Sequence, residues 1–145
     1  MSRRAAGICT LAASILLAVS AAAEAPVPRF AVDASWPQPL PNNWILGQVA
    51  SVFVDREDHV WLLHRPRSLT PDERGATLDP PMSICCVPAP PVIELDRAGK
   101  VMRAWGGPGA GYDWPAQEHG LRVDAKGFVW IGGNGINDGL SLIHI

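Results

Sequence analysis

The chain has 145 residues, with 12 Lys and Arg against 14 Asp and Glu, for a net charge of −2. That balance, with no basic cluster, excludes nucleic acid and anionic lipid as charge-recognised partners. Fourteen Pro and fourteen Gly break the sequence into short apolar runs, which excludes long helices and suits an all-β protein rich in turns.

The N-terminus reads as a secretory signal helix over residues 1–25. Arg3 and Arg4 supply the positive region and Ile8 to Val19 the apolar one, and small residues offer cleavage after Ala23 or Ala25. The apolar run is short for a membrane span of about 20 residues, and no later segment is long enough to cross one. The expectation is a secreted or periplasmic protein with no membrane span once the signal is removed. Cys9 falls inside the signal, which leaves the adjacent pair Cys85 and Cys86. Export allows disulfides to persist, so this pair is a candidate vicinal disulfide; two free or intermolecular thiols are the alternative.

Residues 26–48 read as an extended lead-in. Phe30-Ala31-Val32 is a strand candidate, whereas Trp36-Pro37-Gln38-Pro39 is too rich in proline for a helix or a central strand. The Trp residues of the lead-in, Trp36 and Trp44, are expected to cover an apolar flank of the first repeat unit. Four strands are then predicted: Val49–Asp55, His59–His64, Pro91–Asp96 and Val101–Trp105. Arg97-Ala98-Gly99-Lys100 is a tight turn with Gly where φ is positive. A loop over 66–90, containing six prolines and the cysteine pair, separates the second and third strands. Connections this long are rare unless they serve a function, so it reads as a surface lid or a lid over a ligand. The glycines of 106–111 form a turn rather than a phosphate loop, since no helix follows and the P-loop lysine is missing.

Two further strands, 120–124 and 128–132, repeat the first hairpin. Val52-Phe53-Val54-Asp55 leads through a polar turn to Val60-Trp61-Leu62, and Leu121-Arg122-Val123-Asp124 leads through another to Val129-Trp130-Ile131. Such internal duplication marks a repeat architecture. Asp55 and Asp124 recur at the same point and are expected to cap the turn backbone. Trp61 and Trp130 are expected to pack between units, and Trp105 and Trp114 to pack at the core or rim. The tail over 139–145, Gly-Leu-Ser-Leu-Ile-His-Ile, has no evident partner strand and reads as non-native, which implies the N-terminal piece of a longer protein. The fold expected is all-β: a partial β-propeller of about one and a half four-stranded antiparallel blades over 49–138.

Within the repeat, the residue before the first strand and the residue after the second lie on one face of a blade. Arg65 and His119 should therefore come together, with the cysteine loop beside them. Gly47-Gln48-Val49-Ala50-Ser51-Val52-Phe53-Val54-Asp55 with Leu63-His64-Arg65, and Glu118-His119-Gly120-Leu121-Arg122-Val123-Asp124 with Val129-Trp130-Ile131, resemble NHL-repeat propellers, and among them peptidyl-α-hydroxyglycine α-amidating lyase. The resemblance implies a six-bladed fold and cleavage of a peptidyl-hydroxyglycine to a peptide amide and glyoxylate. It assigns Arg65 to the active site as a carboxylate clamp and His119 to zinc, which would polarise the substrate hydroxyl. It assigns the backbone carbonyls of Val52 and Leu121 to a structural calcium. Pro66 departs from the family's glycine. The remaining zinc histidines and the catalytic tyrosine would lie in later blades, so this stretch alone is expected to be inactive. Other roles stay open. His119 reads equally as a turn histidine, and Arg65 as a solvated or ion-paired strand end. His59 is expected to be exposed at its turn, and His64 to pack within its strand or to sit behind a site. The alternative function is a non-enzymatic propeller that binds a small molecule, peptide or protein through the same upper face.

Overall fold

The computed structural model describes residues 27–136, 138 and 140–142. The signal helix expected over 1–25 lies outside them, as do 139 and 143–145 of the tail. The chain divides into two units at Val32/Asp33. In the first, Phe30-Ala31-Val32 forms no strand, and Phe30 and Val32 are exposed. A β-prone triplet gains nothing from an extended conformation when no neighbouring edge takes up its backbone groups.

The second unit is all-β. Its strands are β1 (Trp44–Ile45), β2 (Gln48–Val54), β3 (Val60–Arg65), β4 (Val87–Pro88), β5 (Val92–Leu95), β6 (Val101–Trp105), β7 (Glu118–Val123), β8 (Val129–Gly133) and β9 (Leu140–Leu142). β2, β3, β5 and β6 form a four-stranded antiparallel sheet in chain order, and β7, β8 and β9 form a three-stranded one. β1 and β4 pair in parallel. Neither sheet closes on itself. The second sheet gains a third strand from the tail, where the alternation Leu140-Ser141-Leu142 has strand period.

Three of the turns share one chemistry. In the hairpin between β2 and β3, the Asp58 N–H donates to Asp55 O (3.2 Å), and between β7 and β8 the Gly127 N–H donates to Asp124 O (3.0 Å). Gly99 does the same to Asp96 O (2.9 Å) between β5 and β6. The donor residue sits at positive φ each time, 62° for Asp58 and 85° for Gly127. The leading Asp side chain then accepts from the backbone beyond. Asp55 Oδ1 takes the N–H groups of Glu57 (3.0 Å) and His59 (2.9 Å), and Asp124 Oδ1 those of Lys126 (2.8 Å) and Phe128 (3.0 Å). The turn-capping role expected of both aspartates is thus present in hydrogen bonds.

Side-chain alternation assigns each face. On β3, Trp61 and Leu63 point one way and Leu62 the other. Trp61, Leu63 and Val92 join Leu121, Val123, Val129 and Ile131 in the core between the two sheets, with Phe53, Trp105 and Trp114 packed against it. On the far side of the first sheet, Leu62, Ile93, Leu95 and Ala89 are covered by Trp36, Trp44 and Leu46. The lead-in thus covers an apolar flank, as its tryptophans imply. The central strands β3 and β5 of the first sheet are buried on both faces, and β3 accordingly opens with the apolar run Val60-Trp61-Leu62-Leu63. Among the described residues the second sheet buries one face only. Leu121 and Val123 therefore flank an exposed Arg122, and Trp130 remains 45 % exposed.

Candidate functional site

Arg65 meets the backbone just before His119 at one end of the two sheets. Arg65 ends β3 and its Nε donates to Glu118 O (2.6 Å), the carbonyl of the Glu118–His119 peptide, while Nη2 reaches Asn134 Oδ1 (3.4 Å). His119 follows on β7 at an irregularity in register between Glu118 and Gly120. It is exposed, and its side chain makes no hydrogen bond or ion pair among the described residues. A cleft of about 560 Å³ opens here, lined by Gln48, Arg65, Ser68, Gln117, Glu118 and Ile136. Among the described residues Arg65 is a half-exposed strand end that forms no ion pair, and the His119 side chain forms no hydrogen bond. Val52 and Leu121 lie on neighbouring strands of the two sheets, and the Leu121 N–H donates to Ser51 Oγ (3.1 Å) beside Val52.

The same end holds a buried carboxylate that sequence reasoning overlooked. Glu118 is 2 % exposed, and its Oε1 accepts from Trp114 Nε1 (2.7 Å) and, more distantly, from Arg67 Nη2 (3.4 Å). Arg67 Nη2 also donates to the backbone carbonyls of Pro115 (3.0 Å) and Ala116 (2.6 Å). Arg67 belongs to a short 3-10 turn, Pro66–Ser68, with Pro66 at its first position, where the missing N–H costs nothing. Pro66 therefore starts the turn that aims Arg67 across the sheets. The rest of the 66–90 loop returns to the lead-in through β4, and Pro88 and Pro90 line a smaller cleft with Arg67 and Glu118. Cys85 and Cys86 are joined in a vicinal disulfide just before β4; they line none of these clefts.

His64 is fully buried behind this end. The Gly47 N–H donates to its Nδ1 (3.1 Å), so Nε2 carries the proton and donates to Pro90 O (2.9 Å). The ring thus ties the start of β2 to the end of the long loop. Burial lowers its pKa, against the opposing pull of the Pro90 carbonyl and of Glu118. The folded state therefore holds a neutral ring that the unfolded chain protonates below about pH 6.5. Because the unfolded state binds more protons in that window, stability rises with pH through it, is full above about pH 6.5, and falls as the medium becomes more acidic. Chemical denaturation between pH 5 and 7.5 is expected to show this slope, and His64→Gln to flatten it. An unchanged slope in the variant would assign the acid sensitivity elsewhere.

The opposite end of the sheets carries a second constellation. His59 is not the exposed turn residue that its position suggests: it is 26 % exposed, and its Nδ1 lies 2.9 Å from Glu94 Oε1. The partner comes from β5, where Glu94 pairs with Trp61 of β3, a relation that nothing local to the turn announces. Asp55 Oδ2 lies 3.6 Å from the same nitrogen and accepts from Trp61 Nε1 (2.8 Å). Burial opposes ionisation of Asp55, but its three donors outweigh it and hold the carboxyl below its ordinary pKa. Glu94 is 2 % exposed and its Oε2 is bonded by Arg103, whose guanidinium also lies over the Trp61 ring at 5.3 Å. Asp55, His59 and Glu94 present one ligand atom each, all within 4.8 Å of one another, and could hold a metal ion. His119 belongs to no such group among the described residues.

Compared with known proteins, the chain matches no family model, no curated protein and no solved structure. No helix among the described residues is long and apolar enough to cross a membrane.

Proposed function

We propose that this chain forms two adjoining sectors of an exported NHL-type β-propeller that resembles peptidyl-α-hydroxyglycine α-amidating lyase, and that it holds a small or peptide-like ligand by its carboxylate at the Arg65 end. The observation that carries the reading is the packing of the two duplicated hairpins through one shared core, with Arg65 of the first against the Glu118–His119 peptide of the second. Arg65 spends Nε and Nη2 on the neighbouring sheet, which fixes the guanidinium and leaves Nη1 to meet a carboxylate. By the same resemblance, Val52 and Leu121 would lend their carbonyls to calcium.

The zinc of the resemblance fits less well. His119 is open to solvent, yet one imidazole supplies one of the three or four protein ligands that zinc takes. The described residues at this end do not complete the set, and no chemical step is drawn through it. Ligand binding rather than turnover is the role these residues support. A metal-assisted lyase is the second reading, favoured by the exposed and unbonded His119 beside Arg65, and it requires ligands from further sectors.

Calorimetric titration of the full chain with a short peptide ending in glycine, as the free acid and as the amide, tests the proposal. The acid is expected to bind at least tenfold more tightly, a difference of about 1.4 kcal/mol, and Arg65→Ala to erase that preference. Equal affinity for acid and amide would refute the carboxylate clamp.

A further inference from the structure

We infer that Asp55, His59 and Glu94 form a binding site for a divalent transition metal at the end of the sheets away from Arg65. The two hairpins provide an internal control. Both have the aspartate, the capped turn and the tryptophan, with Trp61 Nε1 bonded to Asp55 Oδ2 (2.8 Å) and Trp130 Nε1 to Asp124 Oδ2 (3.1 Å). In the first, the residue closing the turn is His59 and the residue paired with the tryptophan is Glu94. In the second, Phe128 and Leu142 stand at those positions. The hairpin thus forms without the imidazole and without the second carboxylate. Their joint presence in the first copy adds a nitrogen and an oxygen donor to an aspartate that was already held in place.

The first copy is also built as metal sites are, with each ligand oriented by a partner behind it. Arg103 fixes Glu94 through Oε2 and leaves Oε1 facing the imidazole. Two backbone N–H groups and the Trp61 indole fix Asp55. His59 Nδ1, at 2.9 Å from Glu94 Oε1 and 3.6 Å from Asp55 Oδ2, faces both oxygens at once. A cation with bonds of about 2.0–2.2 Å spans such spacings. A cation bound there would take the Nδ1 lone pair, with the ring hydrogen on Nε2, and would lie between the two carboxylates.

A cleft of about 650 Å³ lies against the site and gives an ion and its waters a way in. Its walls also carry Asp124, Arg103, Arg122 and Lys126, so it is of mixed sign, and selectivity falls to the ligands rather than to the field. One nitrogen and two carboxylate oxygens suit zinc, cobalt or manganese better than calcium, which takes six to eight oxygens.

Titration of the folded full chain with Co2+, followed by its visible absorption, tests the inference. One equivalent is expected to bind with a ligand-field spectrum. His59→Phe, which installs the residue of the second hairpin, is expected to weaken binding at least tenfold, and His119→Ala to leave it unchanged. No Co2+ uptake by the wild type, an unaltered affinity in His59→Phe, or loss in His119→Ala instead would each overturn it. Should His59→Phe fail to fold by circular dichroism, Glu94→Gln decides in its place: an unaltered Co2+ affinity there overturns the site, and a tenfold loss upholds it.

Discussion

Replacing Trp61 with alanine is expected to destabilise the chain by about 3–5 kcal/mol, and the same change at its repeat counterpart Trp130 by well under half as much. The two residues occupy equivalent strand positions and make the same indole bond to an aspartate of their own turn. They differ in what covers them. Trp61 is 3 % exposed, packed among Leu63, Leu121, Val123 and Ile131 where the sheets meet, with Arg103 over its ring. Removing it opens a void that neither sheet can fill without shifting the other. Trp130 lies on the other face of the second sheet and is 45 % exposed, so its truncation removes less packing. Urea midpoints of the two variants measure the contrast. Equal losses would mean that the core between the sheets does not hold them together.

The second large effect is expected from the smallest side chain. Gly47 sits between β1 and β2, where a methyl group would come within 2.1 Å of Arg65 O and 2.5 Å of Ser68 Oγ. The first of these is backbone and cannot swing away. Gly47→Ala must therefore push the start of β2 off the end of β3, breaking the bond from the Gly47 N–H to His64 and that from the Gln48 N–H to Ser68 Oγ (2.8 Å). Overpacking of this kind costs about 1–3 kcal/mol, and here it falls on the strand end that carries Arg65. The variant is expected to show both a lower urea midpoint and weaker discrimination between acid and amide peptides. Wild-type values for both would place the close approach elsewhere.

The sheets are legible in the sequence because their signals are local. Six predicted strands lie within a residue or two of β2, β3, β5, β6, β7 and β8, since each is a short β-prone run bounded by an Asp-led turn. The approach of Arg65 to the Glu118–His119 peptide follows from hairpin direction alone. The misses share a different cause. The turn alone makes His59 look exposed, while its environment is made by Glu94, 35 residues away on β5. Glu94 and Glu118 look like ordinary polar alternates within their strands, and only the packing of a second layer buries them. Arg67 gives no signal because its nearest partners are main-chain carbonyls, which every residue has. Phe30–Val32 fails in the opposite sense, having strand-forming residues and no edge to join.

Arg65 and Arg67 bridge the sheets chiefly by gripping peptide oxygens, at Glu118 for the first and at Pro115 and Ala116 for the second. A fastening of that kind reads the path of the opposing chain and ignores its spelling. Around Pro115 and Ala116, sequence drift is therefore tolerated as long as the curve of the backbone survives, whereas the two guanidinium groups have no substitute that reaches as far with as many donors.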